Sequence, residues 1–226
     1  MINIQKNYKH GIALIMEGDT ELCFYEEILK SISLDNNIEF NKYYDETELD
    51  YFYELSKNEN IILIKMKNAK TITQITNQAI WFNNFCADKF KNISWHVALC
   101  YDTDGKDISV FSQEDWQILR GKLKSISNVI DIIDCCAQKD VEDLFFIDIE
   151  NILKFLNIDE NISVDNLRGR KGKVKMKNLY NDYTDKVYHE GKRAKSLIQS
   201  LDLRKIIDSH ENGIYKIENL ITKILK

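Results

Sequence analysis

The sequence predicts an α/β fold in which helices flank a largely parallel four-stranded sheet, followed by a basic, mainly helical C-terminal extension. Short apolar runs alternate with longer amphipathic segments, which is the order expected for strands and helices of a parallel sheet. Beyond residue 160 this alternation gives way to basic loops and short helices, with Gly169, Gly172 and Gly191 as breakers. We therefore divide the 226 residues into a predicted catalytic-type domain, 1–157, and an extension, 158–226, packed on it.

The first half of the chain contains two predicted strands, each with a helix after it. Residues 11–16 are apolar without helical spacing, and residues 20–32 have an apolar helical face behind a candidate N-cap at Asp19 or Thr20. Residues 60–66 (NIILIKM) are the second buried strand, and residues 69–87 again show helical spacing.

The second half contains two more strands. The stretch WHVALCYDTDG, residues 95–105, is a strand that runs into Asp102 and Asp104, and a helix is predicted over 113–126. The stretch NVIDIID, residues 128–134, is the fourth strand, and a helical region over 141–156 follows it.

Charge is distributed unevenly along the chain. The formal net charge is −5, but residues 168–226 carry +8 and residues 1–167 carry −13. Such an acidic body and basic tail could pair with each other, or could place metal-binding acids beside a phosphate-binding surface.

Cysteine usage and hydropathy indicate a cytoplasmic protein. The five cysteines show neither a CxxC pair nor zinc-ligand spacing, so we expect reduced, mostly buried thiols. No run approaches 18 apolar residues, and the start, MINIQKNYKHG, is too polar for a signal peptide.

Acidic residues follow two of the apolar strands. Glu17 and Glu21 come just after the first strand, and Asp102 and Asp104 come at the end of the third. Ligands of open α/β sheets bind beyond the carboxyl ends of the strands, so neighbouring strands would bring these carboxylates into one crevice. An all-oxygen cluster of this kind favours Mg²⁺ or Mn²⁺.

Simpler interpretations of the same residues stay open. Glu17 and Glu21 could only pair with a helix N-terminus, and DTDG could be an ordinary polar turn. Both pairs follow apolar strands of one chain, however, which favours a shared site.

The pair of motifs ALIMEG, 13–18, and ALCYDTD, 98–104, resembles the Toprim domain of topoisomerases, bacterial primases and several nucleases. The resemblance covers residues 10–150 and is greatest to the nuclease branch, which includes the overcoming-lysogenization-defect family and small stand-alone relatives. A second acid four residues after the glutamate is matched by Glu21. The stretch DVED, 140–143, resembles a further Ser-x-Glu element, with Asp140 in place of the serine.

The resemblance implies a nuclease that hydrolyses DNA or RNA phosphodiester bonds with two Mg²⁺ or Mn²⁺ ions, and that could be the effector of a phage-defence system. It implies that Glu17, Glu21 and Glu142 hold one ion and that Asp102 and Asp104 help to hold the other. Two ions can stabilise the attacking and leaving oxygens of such a displacement. Glu17 is the residue expected to be essential, as ligand or base.

The resemblance also implies a downstream lysine that stabilises transition-state charge. Lys192 and Lys195 are the main candidates, and Lys173 and Lys175 are further ones. Basic residues and tyrosines are interleaved over 168–195, which is typical of a nucleic-acid-binding segment or of a solvated cap. The candidate nucleic-acid contacts are Arg168, Arg170, Lys171, Lys173, Lys175 and Lys177.

Two other functions fit the same motifs. VALCYDTDG also fits a haloacid-dehalogenase-like phosphatase, with Asp102 as nucleophile and Asp104 as general acid. Alternatively, the chain could be a non-catalytic Toprim module that binds a partner ATPase. That ATPase would be a separate protein, since the chain has no GxxxxGK[ST] motif. A second copy of the chain is another candidate partner.

Overall fold

The fold is a six-stranded sheet with helices on both faces. The computed structural model describes residues 7–103, 114–137, 139–159, 162–209 and 212–226, except for the side chains of residues 72 and 73. Its strands are β1 (His10–Met16), β2 (Glu39–Asp45), β3 (Asp50–Lys57), β4 (Asn60–Asn68), β5 (Ser94–Asp102) and β6 (Val129–Ala137).

The strand order in the sheet is β2-β3-β4-β1-β5-β6. Strand β1 pairs in parallel with both β4 and β5, and β5 pairs in parallel with β6. Strands β2 and β3 are antiparallel additions at the β4 side. The α/β class and the mostly parallel sheet are therefore confirmed.

The predicted strand count of four is wrong, because β2 and β3 were missed. β2 is an edge strand in which only Asp45 is buried, so it lacks the apolar run by which strands were assigned. β3 has a buried centre over residues 52–55, but Glu54 is one of those buried residues and interrupts its apolar character.

The helices follow the predicted order with different boundaries. They are α1 (Asp19–Asp35), α2 (Gln78–Phe82), α3 (Glu114–Lys124), α4 (Val141–Phe145), α5 (Ile149–Leu156), α6 (Gly172–Tyr183), α7 (Lys195–Ser200), α8 (Leu203–Asp208) and α9 (Ile214–Ile224). The single helix predicted over 69–87 is instead a 3-10 turn, the short α2 and a π turn. The region 141–156 is divided into α4 and α5 by a 3-10 turn at residues 146–148.

The sheet separates two hydrophobic cores. Along β1, Ile12 and Leu14 belong to one core, and Ala13 and Ile15 belong to the other, as the two-residue period of a strand requires. The first core also contains Phe24 of α1 together with residues of the C-terminal helices. The boundary predicted between 157 and 158 stays a prediction.

The topology brings the carboxyl ends of β1 and β5 together. Because the two strands are parallel neighbours in which Met16 is opposite Cys100, Glu17 and Asp102 follow at the same edge of the sheet. The juxtaposition expected from the sequence is therefore present.

The expectations about cysteines and about membrane-spanning segments can also be compared with the structure. All five cysteines are free thiols, four of them buried and Cys23 partly buried. Among the described residues, the helices are all too short or too polar to cross a bilayer.

Candidate functional site

Carboxylates from four parts of the fold surround one cavity of about 450 Å³. They follow β1, lie in the first turn of α1, end β5 and begin α4. The lining consists of Glu17, Gly18, Asp19, Thr20, Glu21, Lys70, Thr71, Asp102, Asp140, Val141, Glu142, Lys173, Glu190 and Gly191. We call this cavity the acidic pocket.

The turn from β1 into α1 sets the positions of the first two glutamates. Gly18 is extended there, and a Cβ on it would lie 2.7 Å from Glu21 Oε2, so glycine leaves room for that carboxylate. Glu17 Oε1 accepts a hydrogen bond of 3.2 Å from Trp116 Nε1 of α3. Two helices therefore hold the first pair of acids.

The candidate N-caps of α1 have other partners. The N-cap is Gly18, without a side-chain hydrogen bond. Thr20 Oγ1 instead accepts from the backbone N–H of Gly191 at 2.8 Å, and Asp19 Oδ1 accepts from Asn68 Nδ2 at 2.5 Å. The prediction of Asp19 or Thr20 as N-cap is wrong, because both side chains tie α1 to other segments around the pocket.

Burial and mutual repulsion raise the pKa values of three carboxyl groups in the acidic pocket. Burial, followed by repulsion from Glu21 and Glu17, raises the pKa of Asp102 to about 9. Burial raises the pKa of Glu21 to about 7, with repulsion from Glu17 contributing. Burial and the neighbouring Asp140 raise the pKa of Glu142 to about 7. Burial and repulsion therefore outweigh the attraction of Lys173 for these carboxylates.

The start of α4 shows what Asp140 does. Asp140 forms a capping box with Asp143, and it also accepts 3.1 and 3.2 Å hydrogen bonds from the backbone N–H of Lys173. Glu142, in the first turn of the helix, accepts a 2.8 Å hydrogen bond from the hydroxyl of Tyr188. Asp140 thus holds α4 and α6 together, while Glu142 is positioned by a residue of the extension.

The structure locates the candidate lysines in two places. Lys173 lines the acidic pocket and forms a 2.5 Å ion pair with Glu190. Lys192 and Lys195, the predicted catalytic lysines, line a neighbouring cavity instead. Lys70, which the sequence analysis missed, lines the acidic pocket with a backbone φ of 67°, an uncommon value outside glycine.

The other basic candidates lie on or near α6. Arg168 pairs with Asp182 at 2.6 Å, Lys177 pairs with Glu190 at 3.0 Å, and Arg170, Lys171 and Lys175 are exposed or half-buried. These contacts fit a solvated surface, and nucleic-acid binding by this segment stays a prediction.

The side chains of the acidic pocket show whether a divalent cation would fit there. The pocket's acidic side chains offer only oxygen ligands, which suits Mg²⁺ or Mn²⁺. Within the described residues, no three acidic, histidine or cysteine side chains are already grouped as metal ligands. The carboxylates would therefore have to rotate toward a bound ion. Asp104, a predicted ligand, lies outside the described residues.

Comparisons with known proteins are weak. No family model and no curated protein matches the chain. A futalosine hydrolase mutant of Helicobacter pylori strain 26695 is 7% identical, with a TM-score of 0.30 over 96% of this chain and 98% of that one. A Thermoplasma acidophilum protein of unknown function is 12% identical, with a TM-score of 0.34 over 96% and 89%. A Campylobacter jejuni 5'-methylthioadenosine/S-adenosyl homocysteine nucleosidase is 10% identical, with a TM-score of 0.27 over 97% of each chain.

The prediction of a nucleic-acid-cleaving nuclease finds no support in these comparisons, and we do not retain it. Two of the similar structures are named a futalosine hydrolase and a nucleosidase, and neither is named a nuclease. At TM-scores from 0.27 to 0.34 the similarity does not assign a nucleosidase activity to this chain either. Membership of the Toprim family is untested and stays a prediction.

Proposed function

We propose that the acidic pocket binds a divalent cation and is the active site of a hydrolase for a small anionic molecule. The observation that carries this proposal is the convergence of carboxylates from β1, α1, β5 and α4 on one cavity. The cavity's volume of about 450 Å³ is in the range of small-molecule sites.

Charge supports a cation in the pocket. Seven acidic side chains line it against two lysines, and one of these lysines, Lys173, is already paired with one of the seven, Glu190. Glu21, Asp102 and Glu142 are the residues that would hold the ion, from three different elements. When bound, Mg²⁺ or Mn²⁺ supplies Lewis-acid polarisation and lowers the pKa of coordinated water.

The remaining residues suit an anionic substrate. The first turn of α1 faces the pocket, and a helix N-terminus favours negative charge. Lys70 and Lys173 add positive charge to the wall. Glu17, held by Trp116, is a carboxylate that can accept a proton beside the substrate. Phosphate esters are the first class to test, because Mg²⁺ sites commonly include substrate phosphates.

We expect Mn²⁺ to bind the full chain and to stabilise it. After treatment with a chelator, Mn²⁺ titration would be followed by calorimetry and by thermal unfolding. Glu21→Gln should weaken Mn²⁺ binding about tenfold or more, since it removes one charged ligand. Glu59→Gln, an equal charge change at an exposed turn far along the sheet, is the matched control.

Two results would count against the proposal. If the wild-type chain binds no Mn²⁺, or if Glu21→Gln and Glu59→Gln bind it equally, the pocket is not a cation site. The hydrolase assignment is tested separately, by Mn²⁺-dependent phosphate release from a panel of small phosphate esters. Cation binding without turnover of any ester would remove the assignment to that class.

A further inference from the structure

A second cavity, of about 440 Å³, adjoins the acidic pocket. Asp19 lines both cavities, and Gly191 of the acidic pocket is followed directly by Lys192 of the second cavity. Its lining consists of Asp19, Leu22, Cys23, Glu26, Lys42, Leu49, Asp50, Tyr51, Tyr53, Met66, Lys192 and Lys195. A single ligand could therefore extend from one cavity into the other.

One wall of the second cavity is apolar and partly open to solvent. Leu49 is 75% exposed and Tyr51 is 46% exposed, beside Leu22 and Met66. The Lys42 ammonium lies 4.3 Å from the centroid of the Tyr51 ring, a cation–π contact that orders this aromatic side chain. Exposed apolar groups at a cavity are typical of ligand-binding surfaces.

Backbone strain marks the same two cavities. Five described non-glycine residues have positive φ, and three of them are asparagines, which tolerate it. The other two are Leu49, at 52°, in the second cavity and Lys70, at 67°, in the acidic pocket. Left-handed backbone at bulky residues costs free energy and is concentrated at ligand sites.

The lining of the second cavity also contains three lysines, Lys42, Lys192 and Lys195. Glu26 is already neutralised, because hydrogen bonds from Lys42 at 2.5 Å and Tyr53 at 2.7 Å satisfy it. Lys195 forms longer ion pairs, with its Nζ 3.4 Å from Glu26 Oε1 and 3.6 Å from Glu27 Oε1. The Lys192 ammonium forms no ion pair or hydrogen bond with any residue that the structure describes. It is the cation most available to a ligand.

We infer that the second cavity binds the organic part of the substrate, and that this substrate is a small phosphorylated molecule with a flat apolar group. The flat group packs on Tyr51 and Leu49, while the phosphate lies between Lys192 and the acidic pocket. This inference rests on the proposed function for the chemistry, but binding in the second cavity does not require turnover.

Cys23 provides a direct reporter for the test. It lines the second cavity and is partly buried, whereas the other four cysteines are buried. The rate of Cys23 alkylation by iodoacetamide, followed by mass spectrometry of the full chain, would be measured with 1-naphthyl phosphate, with inorganic phosphate and without either. We expect 1-naphthyl phosphate at several times its dissociation constant to slow alkylation about fivefold, as mass action requires.

Variants separate the apolar contacts of the second cavity from its charged contacts. Leu49→Ser should weaken 1-naphthyl phosphate binding about fivefold or more through lost apolar contact, and Lys192→Gln about tenfold through a lost charged contact. Leu34→Ser, at a leucine that is 80% exposed elsewhere on α1, and Lys186→Gln, at an exposed lysine, are matched controls expected to bind like wild type.

The inference is overturned if 1-naphthyl phosphate leaves the alkylation rate unchanged, or if inorganic phosphate protects Cys23 equally well. It is also overturned if Leu49→Ser and Lys192→Gln bind as tightly as their controls. Protection that depends on these two residues, without Mn²⁺-dependent hydrolysis of any phosphate ester, would support the second cavity while removing the assignment to phosphate esters.

Discussion

Gly172→Ala is expected to destabilise the protein by about 3 kcal/mol, because the start of α6 touches the backbone of α4. A Cβ at this position would lie 2.5 Å from the carbonyl carbon of Glu142 and 2.6 Å from Asp140 Oδ1. Backbone cannot move aside as a flexible side chain can. The two helices would have to separate, and the hydrogen bonds from the Lys173 N–H to Asp140 would be lost.

The same chain offers a matched control. Gly121 lies within α3, where an added Cβ would meet nothing within 4 Å. Gly121→Ala should therefore stabilise the protein by about 0.5–1 kcal/mol, the usual gain for alanine over glycine in a helix. Urea unfolding of the two variants and the wild type measures both effects.

A functional consequence should accompany the loss of stability. Since Glu142 follows Asp140 at the displaced helix start, Gly172→Ala should also weaken Mn²⁺ binding in the fraction that stays folded. An unfolding free energy for Gly172→Ala equal to that of wild type would show that the α4–α6 contact does not hold the site.

The convergence of Glu17 and Asp102 could be predicted from the sequence because it depends on local patterns and one general rule. Apolar runs identified β1 and β5, and parallel neighbours place their carboxyl ends at one edge. Strand β2 could not be identified by the same criterion, because an exposed edge strand has no apolar run.

The residues that distant segments contribute to the acidic pocket could not be predicted from the sequence. Lys70 follows β4, whose own end reaches the pocket only because β4 pairs with β1. Tyr188 and Glu190 lie in an irregular segment of the extension that contacts the site through tertiary packing. The left-handed backbone at Lys70 has no signature in the sequence either, because glycine or asparagine would be expected there.

Two sequence-based roles changed for physical reasons. Asp140 stands in place of the serine of the Ser-x-Glu element, but in the structure it accepts hydrogen bonds from the Asp143 and Lys173 N–H groups and so has a structural role. Lys192 and Lys195 are the main candidates for the downstream lysine that the resemblance implies, but α7 and the turn before it place them over α1, beside the second cavity. Sequence spacing could not distinguish two cavities that share Asp19.

Metal-free protein is expected to lose stability as the pH rises from about 5 to about 9. Folded-state pKa values of about 9 for Asp102 and about 7 for Glu21 and Glu142 exceed their unfolded values near 4. In this window the folded state therefore holds protons that the unfolded chain has released, so stability falls with rising pH. The charges that face these groups are those of Glu17, Asp140 and Lys173.

The stability of the metal-free protein should also fall as the pH decreases below about 5. Burial alone would raise the pKa of Glu26, but hydrogen bonds from Lys42, Tyr53 and Lys30 lower this pKa to about 2. Hydrogen bonds from Lys89 and backbone N–H groups likewise lower the pKa of Asp45 to about 2 despite burial. These groups contribute stability above their unfolded pKa that is lost as the pH falls toward 2. We therefore expect a maximum near pH 5 in the presence of a chelator.

Asp102→Asn should raise the melting temperature of the chelated protein at pH 8 by roughly 5 °C, because asparagine is neutral at every pH in this range. Asp185→Asn, at an exposed aspartate of the extension, is the control and should change it little. In millimolar Mn²⁺ the order should reverse, since the wild type gains stability by binding and Asp102→Asn lacks a ligand. A chelated Asp102→Asn protein no more stable than wild type at pH 8 would mean that Asp102 carries no excess charge cost in the pocket. The cation would then have nothing at that position to neutralise.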